Sequence, residues 1–530
     1  MPYRPAVSVS ASVSARPRRP AARRTARKLS AIAMAAACAM SIAGCAVGPD
    51  YQRPTTPMPA AYKEAPEGWK VAQPADRTDR GDWWTVYDDA RLNDLEARLN
   101  QSNQSIAQFA AAYRQARALV GEARAAYFPT IGASASASRA GSGTSSRTST
   151  AAFANRSTVS NDYNLALDAS WEPDLWGSIG RTVTAQKAGQ QGAAADLANA
   201  RLSAQATLAQ TYFQLRSLDA QQKLLDDTVA AYQQSLKLTQ NQYAQGIVAR
   251  SDVIQAQTQL QSAQASAIEN GVARAQYEHA IAVLVGEPAS TFSLPAMPLD
   301  ATPPTVPTAM PSALLERRPD IASAERKAAA ANEQIGIEIA AFFPTLTLSA
   351  QGGFESSVLS QLLRAPSRFW TLGPSIAATI FDGGLRAART EAARAAYDEN
   401  VATYRQTVLT AFQDVEDNLA SLRILEKEIV VQQQAVQSAQ QALAIINNQY
   451  KAGTVAFISV LTAQTTAFTA EQKLANIAGQ RMVASVGLVK ALGGGWDVAQ
   501  MNRETGGVEA PAAASAPDTM SATEKSAAGG

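Results

Sequence analysis

Two long stretches of the chain place apolar residues at helical spacing far beyond the length of an ordinary helix. In one, Leu208, Leu215, Leu218, Leu225, Val229, Tyr232, Leu236 and Tyr243 follow one another in steps compatible with a 3.5-residue repeat. The other carries Val415, Leu422, Leu425, Ile429, Val436, Leu443, Ile446 and Tyr450 in the same arrangement. A sustained period of 3.5 predicts helices packed side by side along one seam. The two helices are expected from Arg181 to Tyr243 and from Arg386 to Tyr450, each about 90 Å long at about 1.5 Å per residue. A shorter helical pattern runs through Ile106, Phe109, Tyr113, Val120 and Tyr127, and another from Ile321 to Phe342. Pro129 and Pro344 stop these helices, because a proline disfavours helical geometry in the residue before it. The pattern then changes to period two. Strands are expected over Thr130–Arg139, Tyr163–Trp171, Thr345–Gly352 and Trp370–Phe381, each near the length that crosses an outer membrane. Phe128, Pro129, Phe343 and Pro344 mark the helix-to-strand transitions. With Tyr127, Phe342, Trp171, Trp176, Trp370 and Phe381 they supply the aromatics of an interfacial girdle. The same alternation also suits two hairpins of a small soluble sheet.

The pattern occurs twice because the chain is duplicated. Tyr127-Phe128-Pro129-Thr130 matches Phe342-Phe343-Pro344-Thr345 at an offset of 215, and Asn241-Gln242-Tyr243 matches Asn448-Gln449-Tyr450 at an offset of 207. The second copy is therefore eight residues shorter, and a shortened loop is the simplest cause. The expected organisation is an N-terminal leader (1–44), an N-terminal segment (45–104), a first repeat (105–286), a proline-rich linker (287–313), a second repeat (314–495) and a C-terminal part with a disordered tail (496–530). Four strands cannot close a barrel, since eight is about the minimum. Open edges are barred from lipid, so a membrane reading requires strands from several copies.

The N-terminus changes the picture of where this happens. Eight Lys or Arg and no acids precede Cys45, followed by an apolar run from Leu29 that ends in Ile42-Ala43-Gly44-Cys45. This is the form of an export signal, with an apolar core too short to span a membrane comfortably. Cys45 would take a lipid and become the first residue. Removing the leader leaves 39 basic against 45 acidic residues, a balance that suggests no nucleic-acid partner. Cys38 leaves with the signal, so the mature chain has no free thiol and no disulfide.

No catalytic set is present. His279 is the only histidine, and the two cysteines are spoken for, so no metal cluster or cofactor site is expected beyond the lipid. Gly493-Gly494-Gly495 reads as a helix terminator with no phosphate-loop residues after it. The informative places are the hairpin tips. Tyr243-x-x-Gly246 and Tyr450-x-x-Gly453 each end a long helix, with glycine permitting the left-handed turn. Arg250 and Asp252 follow the first tip, and Val455, Phe457 and Ile458 follow the second.

These residues resemble the TolC/OprM-type outer-membrane efflux factors, in the lipoprotein (NodT-like) branch that serves resistance-nodulation-division pumps. The resemblance is carried by Cys45-Ala46-Val47-Gly48-Pro49-Asp50-Tyr51, Trp83-Trp84, Arg317-Arg318-Pro319-Asp320-Ile321, the two Phe-Pro-Thr turns, Phe381-Asp382-Gly383-Gly384 and the two Tyr-x-x-Gly tips. It covers the chain from Cys45 to about Trp496. It implies an α+β membrane protein: a homotrimer whose twelve-stranded outer-membrane barrel, four strands per chain, continues into a long helical periplasmic barrel. It implies a location in the outer membrane, lipid-anchored and reaching into the periplasm. The implied partners are a periplasmic adaptor and an inner-membrane resistance-nodulation-division transporter, and the implied activity is a passive exit duct for drugs or other small molecules. In relatives the tips carry an aspartate, here matched by Asp252, and in some an arginine whose position here is Val455. Acids found further along the second tip fall on Ser459 and Thr462. Closure is accordingly expected to be mainly apolar, through Val455, Phe457 and Ile458. Two other readings stay open: a duct for protein secretion, and a lipid-anchored coiled-coil stalk, which predicts no duplication.

Overall fold

The computed structural model describes residues 46–56, 59, 61–64, 82–141, 159–304 and 317–494. Cys45, the leader, the tail after residue 494 and part of the proline-rich linker lie outside the described residues. The chain divides into a strand unit, which contains Pro129–Gly180 and Ile339–Ile380, and a helical unit, which contains Pro49–Phe128, Arg181–Glu338 and the chain from Phe381 onward.

After a short 3₁₀ turn (Trp83–Tyr87) come α1 (Ala90–Ser102) and α2 (Gln104–Ala125), then β1 (Thr130–Gly141) and β2 (Val159–Trp171). Next are α3 (Ser178–Ala244) and α4 (Arg250–Leu284). The second copy repeats the order with α5 (Pro319–Ala340), β3 (Thr345–Ser356), β4 (Arg368–Ala377), α6 (Leu385–Lys451) and α7 (Phe457–Ala491). The helices α3 and α6 are each 67 residues long, about 100 Å at the usual rise. Gly189 and Gly192 sit inside α3 without delaying its start; Gly192 is buried, with room for no more than an ordinary contact to Arg326.

Several strand boundaries differ from expectation: β1 runs on to Gly141 and β2 begins at Val159, ahead of Tyr163. β3 runs on to Ser356, because Gly352 and Gly353 remain in the ladder opposite Leu167 and Ala166. β4 begins at Arg368 and ends at Ala377, short of Phe381. The residues after it are needed to start α6: Asp382 accepts from the Gly384 and Arg386 amides and pairs with the Arg386 guanidinium at 2.5 Å. The eight-residue shortening is therefore distributed. The β3–β4 connection is six residues shorter than the β1–β2 connection, β4 is three shorter than β2, and one residue is regained before α6.

The core of the helical unit gathers Trp83, Trp84 and Tyr87 with Leu92, Leu95 and Leu99 of α1, Leu208, Tyr212, Phe213 and Leu215 of α3, and Met482 and Val486 of α7. Polar anchors fix its edges. Asp89 caps α1 through the Arg91 and Leu92 amides and pairs with Arg216 at 3.0 Å. Arg216 also donates to the carbonyls of Met297 and Pro298, which fastens the start of the linker to α3. Arg318, at the start of α5, is buried and pairs with Asp320 at 2.6 Å and Asp414 at 3.1 Å, while donating to the Ala491 carbonyl. Glu96 on α1 is fully buried, and neither carboxylate oxygen has a hydrogen-bond partner. Burial pushes its carboxyl up to about 9.

Candidate channel elements

The four strands form one antiparallel sheet in the order β1-β2-β3-β4. Their register sorts the side chains onto two faces, because successive residues in a strand point to opposite sides. On one face Ala133, Leu167, Gly352 and Trp370 line up in a row, followed by Ile131, Ala169, Ala350 and Leu372. Leu346 stands opposite Ile376, and Trp171 opposite Leu348. The other face holds Gly132, Asp168, Gln351 and Thr371 in one row, with Thr130, Ser170, Ser349 and Gly373 in the next. The apolar face is bare: Trp370 is 80% exposed, Leu372 and Ile376 are each 73% exposed, and Ile131 is 76% exposed. Gly353 occupies a place where no other residue fits, because an added Cβ would lie 2.7 Å from the Ala166 Cα. β1 and β4 are each paired on one side only, so the sheet has two free edges.

The girdle aromatics separate into two kinds. Trp370 and Trp171 are exposed on the sheet. Trp176 instead stacks on Phe343 with ring centroids 4.7 Å apart and donates to the Pro344 carbonyl at 2.7 Å. This contact joins the ends of the two repeats within the strand unit. In the helical unit, Tyr127 and Phe128 lie exposed just past α2, immediately before Pro129.

The two tips share one backbone solution. Gly246 and Gly453 both have φ +74°. The amide of each bonds back to its tyrosine carbonyl at 2.9 Å, and the next amide, of Ile247 or Thr454, reaches Gln242 or Gln449 at 2.9 Å. Their surroundings are opposite. Tyr450 is buried, packs on Phe457 with centroids 5.6 Å apart, and shares a hydrogen bond with Thr239 at 3.4 Å. Ala256 and Val460 complete this small core, with Val455 at its margin. Tyr243 is half exposed at the other tip, together with Ile247. Burial raises the Tyr450 phenol above its ordinary value, and the nearby Asp252 charge adds to the effect.

The sequence model of the Outer membrane efflux protein family matches residues 96–287 and 310–494, one match per repeat. The chain belongs to this family. It is 31% identical over 438 residues to the pyoverdine export outer membrane protein OpmQ of Pseudomonas aeruginosa, covering 82% of this chain and 91% of that protein. It is equally 31% identical over 487 residues to the toluene efflux pump outer membrane protein TtgC of Pseudomonas putida, covering 90% and 98%. Among solved structures it resembles the outer-membrane channel OprN, with a TM-score of 0.78, 30% identity, and coverage of 85% of this chain and 100% of that one. The protein is an outer-membrane efflux channel.

The apolar tip residues expected from the sequence to close the duct differ in exposure. Phe457 is only 2% exposed and forms the interior of its own tip. Of the expected apolar closers, Ile458 alone is well exposed, at 53%. Arg250 and Asp252 form no ion pair with each other; the Asp252 amide bonds the Ala249 carbonyl at 3.1 Å, in the first turn of α4. His279 sits exposed on α4. Among the described residues no His, Cys, Asp and Glu group is placed to hold a metal ion, and no helix is long and apolar enough to cross a membrane.

Sequence reasoning missed the seat of the N-terminal segment. Arg181 is buried, pairs with Glu333 at 2.8 Å and donates to the Pro49 carbonyl at 3.1 Å, while Asn332 donates to the same carbonyl. Tyr51 donates to Glu325 at 2.7 Å, Arg405 to the Thr55 carbonyl, and the Lys63 and Glu64 amides to Glu416. Burial, and then the Glu325 charge, raise the Tyr51 phenol well above its ordinary value. Pro49, Tyr51, Thr55, Lys63 and Glu64 are thus fastened to α3, α5 and α6.

Proposed function

We propose that the protein is the passive exit duct of a tripartite efflux pump. It takes small molecules handed on by an inner-membrane resistance-nodulation-division transporter and a periplasmic adaptor. The observation that carries this is the sheet: one face is apolar and largely exposed along its central rows, with Arg139, Asn161, Ser356 and Arg368 confined to the end nearest the β1–β2 and β3–β4 connections, the other face is mainly polar, and both edges are free. An exposed edge in lipid leaves backbone groups unsatisfied, at a cost of several kcal/mol each. Three copies of four strands close a twelve-stranded barrel with the apolar face to lipid and the polar face to a water-filled lumen. Cys45 carries the lipid, and residues 49–64 lead the chain from that anchor onto the helices.

Pyoverdine and toluene, named for two relatives, differ in size and polarity, which supports a duct that does not choose its cargo. The resting duct closes at the tips through exposed Ile458 and its counterparts in the other subunits. Deleting the gene and screening susceptibility to a broad set of drugs, solvents and metals tests the reading. Restored resistance with the wild-type gene, and loss of palmitate labelling with Cys45→Ser, are expected. Unchanged susceptibility to every compound would contradict it.

A further inference from the structure

The strands sort their charged side chains by sign. Arg139 of β1 and Arg368 of β4 belong to the apolar face, whereas Asp162, Asp168 and Glu355 belong to the other. Among the strand residues no acid stands on the apolar face and no base on the polar one. The sheet also has two distinct ends. At Thr130, Trp171, Thr345 and Ala377 the chain joins a helix, whereas Gly141, Val159, Ser356 and Arg368 border the two strand connections. The exit-duct reading puts the helices in the periplasm, so the end with the connections faces the cell exterior. Arg139 and Arg368 both stand toward that end, each eight residues along its strand from Ile131 or Ile376. Eight residues of tilted strand rise about 20 Å, against an apolar band about 25 Å tall in an outer-membrane barrel. The two guanidinium groups therefore mark the outer boundary of the band.

The β3–β4 connection combines the same two characters, apolar and basic. Leu359 and Leu363 are 63% and 70% exposed, Arg364 is exposed beside them, and the stretch from Ser356 to Trp370 contains no acid. Its backbone is folded onto itself in two 3₁₀ turns, Leu359–Gln361 and Ala365–Ser367. The Val358 amide donates to Ser356 Oγ at 3.2 Å, the Leu362 amide to the Leu359 carbonyl at 3.2 Å, and Ser367 Oγ to the Gln361 carbonyl at 2.9 Å. A connection that satisfies its own backbone while baring leucines and an arginine suits a membrane boundary, where backbone groups meet little water. The Arg368 guanidinium lies over the Phe354 ring, 5.9 Å from its centroid. None of Arg139, Arg364 and Arg368 has a carboxylate partner among the described residues.

We propose that this rim binds the phosphorylated glycolipid of the outer leaflet. Leu359 and Leu363 enter the acyl chains, and Arg139, Arg364 and Arg368 meet the phosphate groups where acyl chains give way to sugar. An arginine presents its donors in a planar fork that matches phosphate, and its aliphatic stem lies along apolar surface while the charge reaches the headgroup. Charge complementarity decides the occupant. The anionic leaflet meets the bases, while the acids at the same end face away from it on the polar side of the sheet. At the opposite end of the strands, the level of the inner-leaflet phospholipids, the apolar face carries no base. The inference rests on the outer-membrane barrel reading and adds a lipid of stated chemistry to it.

Native mass spectrometry of the full-length protein, mixed in detergent with bisphosphorylated lipid A, counts the glycolipid retained. Wild type should hold it about tenfold or more tightly than the same lipid stripped of its phosphates. Arg364→Gln/Arg368→Gln should abolish that preference. Glu355→Gln, at the same end on the polar face, should keep it; a loss there overturns the assignment to the apolar face. Equal retention of the phosphate-free lipid by wild type, or an unchanged preference in the double variant, overturns the proposal. Equal retention of phosphatidylglycerol overturns the outer-leaflet glycolipid as occupant. If the double variant fails to fold, as read from its circular-dichroism melt, Arg364→Gln alone lies outside the strand ladder and should still lose part of the preference; no loss counts against the rim. Wild-type protein that opens no pores in planar bilayers overturns the barrel reading instead, whereas pores without phosphate-dependent retention overturn the rim alone.

Discussion

Glu96 is the residue whose environment is most at odds with its chemistry. It is fully buried in α1 with both oxygens unpartnered, and burial lifts its carboxyl from about 4.5 to about 9. Between those two values the folded chain holds a proton that the unfolded chain has released, so this group makes stability fall as pH rises. At pH 7 the cost is about 3 kcal/mol. Glu96→Gln keeps the shape and removes the titration. Its melting temperature should exceed the wild type's at pH 8, with the gap narrowing toward pH 5; a constant gap would contradict the buried-acid reading. At the tips, Ile458 and Phe457 separate surface from interior. Ile458→Ser should raise single-channel conductance with little effect on melting. Phe457→Ser removes the partner of Tyr450 and should destabilise the tip by about 3 kcal/mol or more, read as faster proteolysis near residue 453. Equal effects from the two variants would sink this assignment.

At the scale of elements, one anchor of the N-terminal segment is the buried ion pair of Arg181 with Glu333. Arg181→Ala leaves Glu333 buried without its cation, a loss of about 3–5 kcal/mol, and removes one of the two donors to the Pro49 carbonyl. Limited proteolysis should then cut between residues 49 and 64 much faster than in wild type; an unchanged rate would show that the other anchors suffice. The elements themselves were largely legible in the sequence. A 3.5-residue period and the Phe-Pro-Thr turns located both long helices and the starts of β1 and β3, because these signals are local. The end of β4 was not legible. Ile380 and Phe381 prolong the apolar alternation, yet the chain leaves the ladder so that Asp382 can cap α6. Nor could the tips be told apart. Tyr243 and Tyr450 occupy the same motif and the same backbone, and only the packing of Phe457 and Ala256 around one of them makes it interior. That asymmetry belongs to tertiary structure, where each repeat meets a different neighbour.

At the scale of the whole molecule, the same asymmetry explains why a duplicated chain is still incomplete. Each repeat supplies two strands and one pair of long helices, and the chain satisfies one junction between repeats internally. Its outer junctions remain open: two sheet edges in the strand unit, and bare strips on α4 and α6 in the helical unit. In the proposed trimer, a closed ring of copies satisfies both kinds at once. The measurement that tests this most directly is current through planar lipid bilayers containing the purified full-length protein, after its native mass has been determined in the same detergent. The account predicts a heat-modifiable trimer that opens stable pores, with larger unitary conductance for Ile458→Ser. A protein that stays monomeric, or a trimer that passes no current in either wild-type or Ile458→Ser form, would contradict it.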